Sequence, residues 1–392
     1  MLLAVALAAT MTILPSGKAV AATTTLKVPV TYGQTEARSM LKMINDFRAS
    51  NAQCWNETNT ALVTYSGLQP LTYDYALEQV AMLRAAEIAV YYDHKRPNGE
   101  SCFTAFEGLP LRGWGENIAA GTGTMGSRDA MFMAWREDNE KYAGQGHRRN
   151  MLNSRFAAVG IGYVRCNGIG YWVQNFGDVN SNAPATTADN GKHLVEVEVD
   201  QAILGNRKLT AASSSLSLQA GASKALPALS LQVPVRGNWP SGVLGLDTSG
   251  AKWTSSKPSV AAISKGKVVA KTAGTAQLKA TLDGATTTVT VKVAPPTPAL
   301  SSVKGAAKKL TVKWQKQTKS VSGYEVWVST SKKFTAKTTV KKTVVKSKSS
   351  LTVSKLKAKK TYYVKVRTYY KDPATKKVIN SSWSKVKSAK TK

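Results

Sequence analysis

Acidic residues almost vanish from the second half of this chain. Residues 201–392 hold 4 Asp/Glu against 37 Lys/Arg, and residues 301–392 hold 2 against 26. Residues 1–200 are balanced, at 19 against 17. The net charge of +31 therefore belongs to one half, which implies that this half meets a polyanion while the other does something else. The lysines alternate with apolar residues, as in Lys355-Leu356-Lys357 and Tyr363-Val364-Lys365-Val366-Arg367, the period of a strand with one solvated face. Solubility alone accounts for exposed lysines, but soluble surfaces normally interleave both signs. The expected partner is an anionic cell-wall or surface polymer, with nucleic acid bound only non-specifically through phosphates.

Long apolar runs are scarce as well. Beyond the N-terminus none approaches the roughly 18–20 residues that cross a bilayer, so no membrane span is expected. The N-terminus is mostly apolar to Leu14, breaks at Pro15 and reaches Ala19-Val20-Ala21. That is the pattern of a secretory signal peptide over residues 1–22, and the expected location is extracellular. Cysteine is limited to Cys54, Cys102 and Cys166. In an oxidising compartment one pair can close and leave one thiol free, or all three can stay buried and reduced. HExxH, CxxC and GxSxG are absent, and Gly121-Thr122-Gly123 lacks the Lys-Ser/Thr of a phosphate loop.

What is present is concentrated in residues 35–180. Met40, Leu41, Met43, Ile44 and Phe47 share one helical face behind a Thr35 cap. A second helix is expected over residues 74–92, where Leu77, Ala81, Ala85 and Ile88 recur among Glu78, Arg84 and Glu87. His94 stands just past its end, ahead of the turn Pro97-Asn98-Gly99. A third helix, capped by Ser127, carries Met131, Trp135, Asp138 and Tyr142 on one stripe. From Ala157 the period becomes that of strands, with residues 159–164 and 171–176 flanking an Asn167-Gly168 hairpin turn. Helices with antiparallel strands define an α+β domain. After a polar exit near residue 180, short strands and turns fill the rest, divided by the stiff linker Ala294-Pro295-Pro296-Thr297-Pro298. Two all-β sandwiches are expected there.

Histidine is the scarcest residue with acid–base chemistry near neutrality, three in all. His94 and His147 lie beside glycine-rich turns and acids, with Gly113-Trp114-Gly115-Glu116 between them. Such a set can bind a divalent metal, perform acid–base catalysis, or simply hold two loops together. Spacing alone does not choose among these.

Several motifs then occur in one order: His94-Lys95-Arg96-Pro97, Gly115-Glu116-Asn117-Ile118-Ala119, Trp135 followed by acids, Gly146-His147-Arg148-Arg149-Asn150-Met151-Leu152, Val159-Gly160-Ile161-Gly162 and Tyr171-Trp172-Val173-Gln174-Asn175-Phe176-Gly177. Together they resemble a CAP domain, of the cysteine-rich secretory, antigen 5 and pathogenesis-related superfamily in its bacterial form, over residues 35–180. The resemblance implies an α-β-α sandwich whose cleft is lined by two histidines and two acids. Carried over, these are His94, Glu116, His147 and Asp138, which stands three residues after Trp135 where the family usually has Glu; the neighbouring Glu137 is the alternative to Asp138. It also implies that His94 and His147 are candidate ligands for zinc or another divalent cation. Residues 206–293 resemble a bacterial Ig-like domain through Trp253-Thr254-Ser255-Ser256-Lys257-Pro258-Ser259-Val260. Residues 297–392 resemble fibronectin type III through Trp314, Tyr324, Leu356 ahead of Tyr362, and Ser382-Trp383-Ser384. The resulting expectation is a secreted, surface-associated binding protein, with enzymatic activity left open. Its cleft takes an unknown small ligand, peptide or divalent cation, and its basic sandwiches hold anionic polymer. The alternative is a metal-assisted or acid–base hydrolase of wall or peptide substrates; no residue is assigned a catalytic role.

Overall fold

A computed structural model describes residues 22–239 and 241–392, so the expected leader lies, apart from Ala22, outside the described residues. No described helix is long and apolar enough to cross a membrane. The chain divides into two compact units, Met1–Asn206 with Val233–Asp247, and Arg207–Gln232 with Thr248–Lys392.

The first unit runs β1 (Thr23–Tyr32), α1 (Gln34–Ala49), β2 (Gln53–Trp55), β3 (Leu62–Thr64), β4 (Thr72–Tyr73), α2 (Tyr75–Val90), β5 (Trp114–Thr122), α3 (Arg128–Arg136), α4 (Gly146–Met151), β6 (Ala158–Cys166), β7 (Ile169–Gly177) and β8 (Lys192–Asp200). One sheet has the order β5-β7-β6-β1-β8, with β4 alongside β6. Strand alternation sorts its side chains between two cores. Val159, Ile161, Trp172 and Phe176 face α1, α3 and α4, while Val164, Tyr171 and Val173 face α2. The architecture is a three-layer α-β-α sandwich.

Two glycines set how closely the layers approach. A Cβ at Gly160 would come within 2.1 Å of the Glu78 backbone nitrogen, and one at Gly162 within 2.2 Å of the Ala81 carbonyl oxygen. Only bare backbone lets α2 settle on β6. The Asn167-Gly168 turn forms as the sequence predicts, with φ of 51° and 82°, the doubly positive geometry of a tight hairpin. Asp74 caps α2 by accepting from the backbone N–H of Ala76 and Leu77. The cap of α1 differs from expectation: Gly33 occupies that position with no side-chain bond, and Thr35 lies inside the helix.

The unit also extends past residues 35–180. β1 pairs antiparallel with β8 from Thr23↔Asp200 to Thr31↔Lys192. The segment Val233–Asp247 supplies Val233, Val235 and Leu244 to the core beneath α2. Asn238 donates its side-chain amide to the carbonyls of Ala89 (2.7 Å) and Val90 (3.2 Å), satisfying acceptors that the end of α2 leaves open. Tyr92 N–H donates to the Gly237 carbonyl at 3.0 Å. The stretch 206–293 is therefore not one continuous module: its middle completes the first unit's core.

The second unit holds two β-sandwiches. In the first, a four-stranded sheet (Ser215–Gln219, Ala285–Ala294, Gly274–Leu282, Lys252–Ser255) faces a three-stranded one (Ser223–Ala225, Lys267–Ala270, Ala261–Ser264) across Leu216, Val268, Leu278 and Val291. In the second, strands Leu300–Ala306, Lys309–Trp314 and Ser350–Val353 face a five-stranded sheet built on Gly323–Ser329 and Thr361–Lys371. Trp314, Tyr324, Leu356 and Tyr362 lie in that core, and the Tyr362 hydroxyl accepts from the Lys357 N–H at 2.9 Å.

Candidate functional site: two imidazole–carboxylate pairs in one cavity

The first pair is built at the end of α2. The helix stops at Val90, and the chain doubles back through Pro97-Asn98-Gly99, where Gly99 has φ of 92°. The Cys102 N–H closes this loop onto the His94 carbonyl at 3.0 Å. His94 is half exposed and places Nδ1 2.9 Å from Oε1 of the buried Glu116 on β5. Glu116 is also gripped by Arg84, from Nε to Oε2 at 2.8 Å and from Nη2 to Oε1 at 3.1 Å. Burial opposes its ionisation, but the hydrogen bonds from His94 and Arg84 and the Arg84 charge outweigh it, holding the carboxyl below its ordinary range. Arg84 itself is fully buried, bonds Glu87 at 2.7 Å, and donates to the Asp93 carbonyl next to His94. Arg96 closes the chain of charges on Glu87 at 2.7 Å.

The second pair forms where α3 ends. Trp135 fixes that end by donating Nε1–H to the Ile118 carbonyl at 3.1 Å. Glu137 then adopts the left-handed conformation, φ 49° and ψ 41°. This turns its carboxylate to His147, with Oε1 2.5 Å from Nδ1, while Oε2 accepts the Arg148 N–H at 3.1 Å. Asn117 supports the same histidine by donating to its carbonyl at 3.1 Å.

Asp138 is not on the histidine. Its oxygens take Arg148 Nη1 at 2.7 Å and Arg136 Nη2 at 2.9 Å. The stripe Met131-Trp135-Asp138-Tyr142 assumed continuous helix, and the helix stops at Arg136, so the periodicity does not extend to residue 138. The acid beside His147 is the alternative, Glu137.

His94, Glu116, Glu137 and His147 line one cavity of about 570 Å³ with Arg149 and Asn150. The third histidine, His193, pairs instead with Asp189 at 2.9 Å. Three donors also cluster elsewhere on this wall: His94, Cys102 and Glu116 offer ligand atoms within 4.8 Å of one another. In that trio both Glu116 oxygens already accept hydrogen bonds, and burial with the Glu116 charge pushes the Cys102 thiol up to about 12. A carboxylate on each Nδ1 favours the tautomer that leaves Nε2 as the lone-pair donor, the arrangement of a metal-binding histidine with an outer carboxylate. All three cysteines are buried free thiols, so the reduced alternative describes them.

Sequence reasoning missed Arg84, Asn117 and Asn150. A signal for Arg84 existed: apolar residues flank it closely on α2, from Val80 to Leu83 and at Ala85 and Ala86, which makes it a candidate for burial with a partner.

Comparison with known proteins fits this architecture. The model of the cysteine-rich secretory protein family matches residues 41–176, and that of the fibronectin type III domain matches residues 294–381. The chain thus carries a CAP domain followed by a fibronectin type III domain. Its bacterial affinity comes from the uncharacterized protein YkwD of Bacillus subtilis (strain 168), to which it is 33% identical over 114 residues, 28% of this chain. The match spans 40% of that relative's length. Among solved structures, NaASP2 with Zn2+ is 20% identical at a TM-score of 0.30, covering 42% of this chain and 88% of that one. The fn3 domain of human collagen alpha-1(XX) is 19% identical at a TM-score of 0.21, covering 24% and 84%.

Proposed function

We propose that the CAP cavity binds a small ligand or peptide with a divalent cation, zinc being the best match, while the basic sandwiches retain the exported protein on an anionic wall or surface polymer. The observation that supports the first half is the pairing of both histidines with carboxylates at Nδ1 on one cavity wall. Two imidazoles that each turn Nδ1 to a carboxylate can offer Nε2 to a borderline divalent ion. Bound there, the ion would act as a Lewis acid toward a carbonyl or carboxylate. The protein's own groups do the rest: Glu116 and Glu137 orient the rings, and Arg84 keeps Glu116 ionised. The residues lining this cavity include no serine, threonine or cysteine, which favours binding over nucleophilic chemistry.

The support for the second half is the 37-to-4 excess of cations in residues 201–392.

The test compares wild type with His94→Ala/His147→Ala. After zinc loading and dialysis, wild type retains stoichiometric metal and the double variant does not; equal retention removes the cation site. Turnover of wall fragments or peptides by wild type alone would replace binding with hydrolysis.

A further inference from the structure

We infer that the outer face of the five-stranded fibronectin-type sheet is a preformed row of cations that binds a polyol-phosphate polymer. This rests on the reading that the second unit adheres to an anionic polymer, and it names the site and the polymer's chemistry. Along Gly323–Ser329, Tyr324, Val326 and Val328 are buried, whereas Glu325 and Trp327 point outward. Trp327 is in register with Lys341 on one neighbouring strand and Lys365 on the other. Their Nζ atoms sit 4.5 and 4.6 Å from its ring. Lys365 also lies 4.5 Å from the Trp383 ring, and Arg367 stands 4.5 Å from that same indole. The two indoles are 4.6 Å apart. The result is one interleaved row: Lys341, Trp327, Lys365, Trp383, Arg367.

Lysine stems normally roam, and fixing them on an anion costs rotamer entropy. Here the ring quadrupoles hold the ammonium groups in place beforehand. No carboxylate pairs with Lys341 or Lys365 among the described ion pairs. Arg367 is held by Glu325 at 2.6 Å. Burial, together with the Arg367 charge, lowers the Lys365 pKa.

The same details select the anion. Cations stand over both indoles, which leaves less ring surface for a base or sugar to stack on. Arg367 turns its Nε–Nη2 edge to Glu325 Oε2, which takes up the side-on grip that favours carboxylate glycans. What remains are lysine point charges whose backbones lie two strand spacings apart, about 10 Å. They suit a flexible chain with one phosphodiester charge per repeat.

The experiment titrates full-length protein with poly(glycerol phosphate), hyaluronate and oligo(dT) at matched charge concentration and fixed salt, following tryptophan emission and direct binding. Lys341→Gln/Lys365→Gln is compared with Lys309→Gln/Lys313→Gln, which removes the same charge from exposed positions on the opposite sheet. Trp327→Leu keeps every charge but frees Lys341, while Lys365 stays over Trp383 and Phe334. Poly(glycerol phosphate) binding should fall about tenfold in the row variant, less than about twofold in the control, and about threefold in Trp327→Leu. Urea midpoints check that each variant is folded. Equal losses in the two lysine pairs would overturn the row while leaving diffuse adhesion standing. Tighter binding of hyaluronate or oligo(dT) would overturn the polymer assignment. Failure of wild type to bind any of the three at low salt would sink the adhesion reading itself.

Discussion

The two units use charge in opposite ways. In the first, charge is turned inward: Arg84, Glu87 and Glu116 are buried and satisfied by one another. In the second, it is turned outward, and among its described residues the ion pair is Arg367–Glu325. Buried pairs repay their desolvation poorly as a source of stability, so the inward network is better understood as a device for holding His94 and Glu116 in place. Outward cations contribute little to folding and a great deal to encounter with anions. The chain's net charge therefore describes its surface and carries no information about its cleft.

That contrast can be broken by substitution. Arg84→Met strands two buried carboxylates, and the urea midpoint of the first unit should drop by the equivalent of about 3–5 kcal/mol. A loss near zero would show that the network is dispensable. Within the site, Glu137→Gln should weaken zinc retention about 10–100-fold by releasing the His147 ring. Asp138→Asn, which touches only arginines, should leave it unchanged, and metal titration decides between them.

Acid sharpens the same comparison. Glu116 has a folded pKa below the ordinary value of 4.5, so it stabilises the fold fully above that value and less as pH falls toward the folded pKa. The first unit's urea midpoint should decline below about pH 4.5, and Glu116→Gln should flatten the decline; an unchanged slope assigns it to other carboxylates. The smallest effect is expected on the outward charges. Lys309→Gln should shift stability by no more than about 0.5 kcal/mol, checked in the same urea series.

Much of this was legible in the sequence, and the failures have physical causes. The Asn167-Gly168 hairpin, the start of α2 at Asp74 and the position of His94 just past its end all rest on local chemistry. The choice between Glu137 and Asp138 depended on one left-handed residue at a helix end, which periodicity cannot anticipate. The pairing of β1 with β8 and the return of Val233–Asp247 are non-local, and nothing in those stretches encodes their partner. Arg84 was visible but looked like a solvent residue, because a charged helix position is usually exposed.

The amide of Asn238 on the last carbonyls of α2 has a consequence for inheritance. A gene segment cut at residue 206 would carry the CAP motifs yet lose Val233, Val235 and Leu244 from the core, along with the residue that finishes the helix leading to His94. The heritable piece is therefore an interrupted one. Recombination that swaps the neighbouring sandwich would have to keep that segment for α2 to retain its core and its finished end.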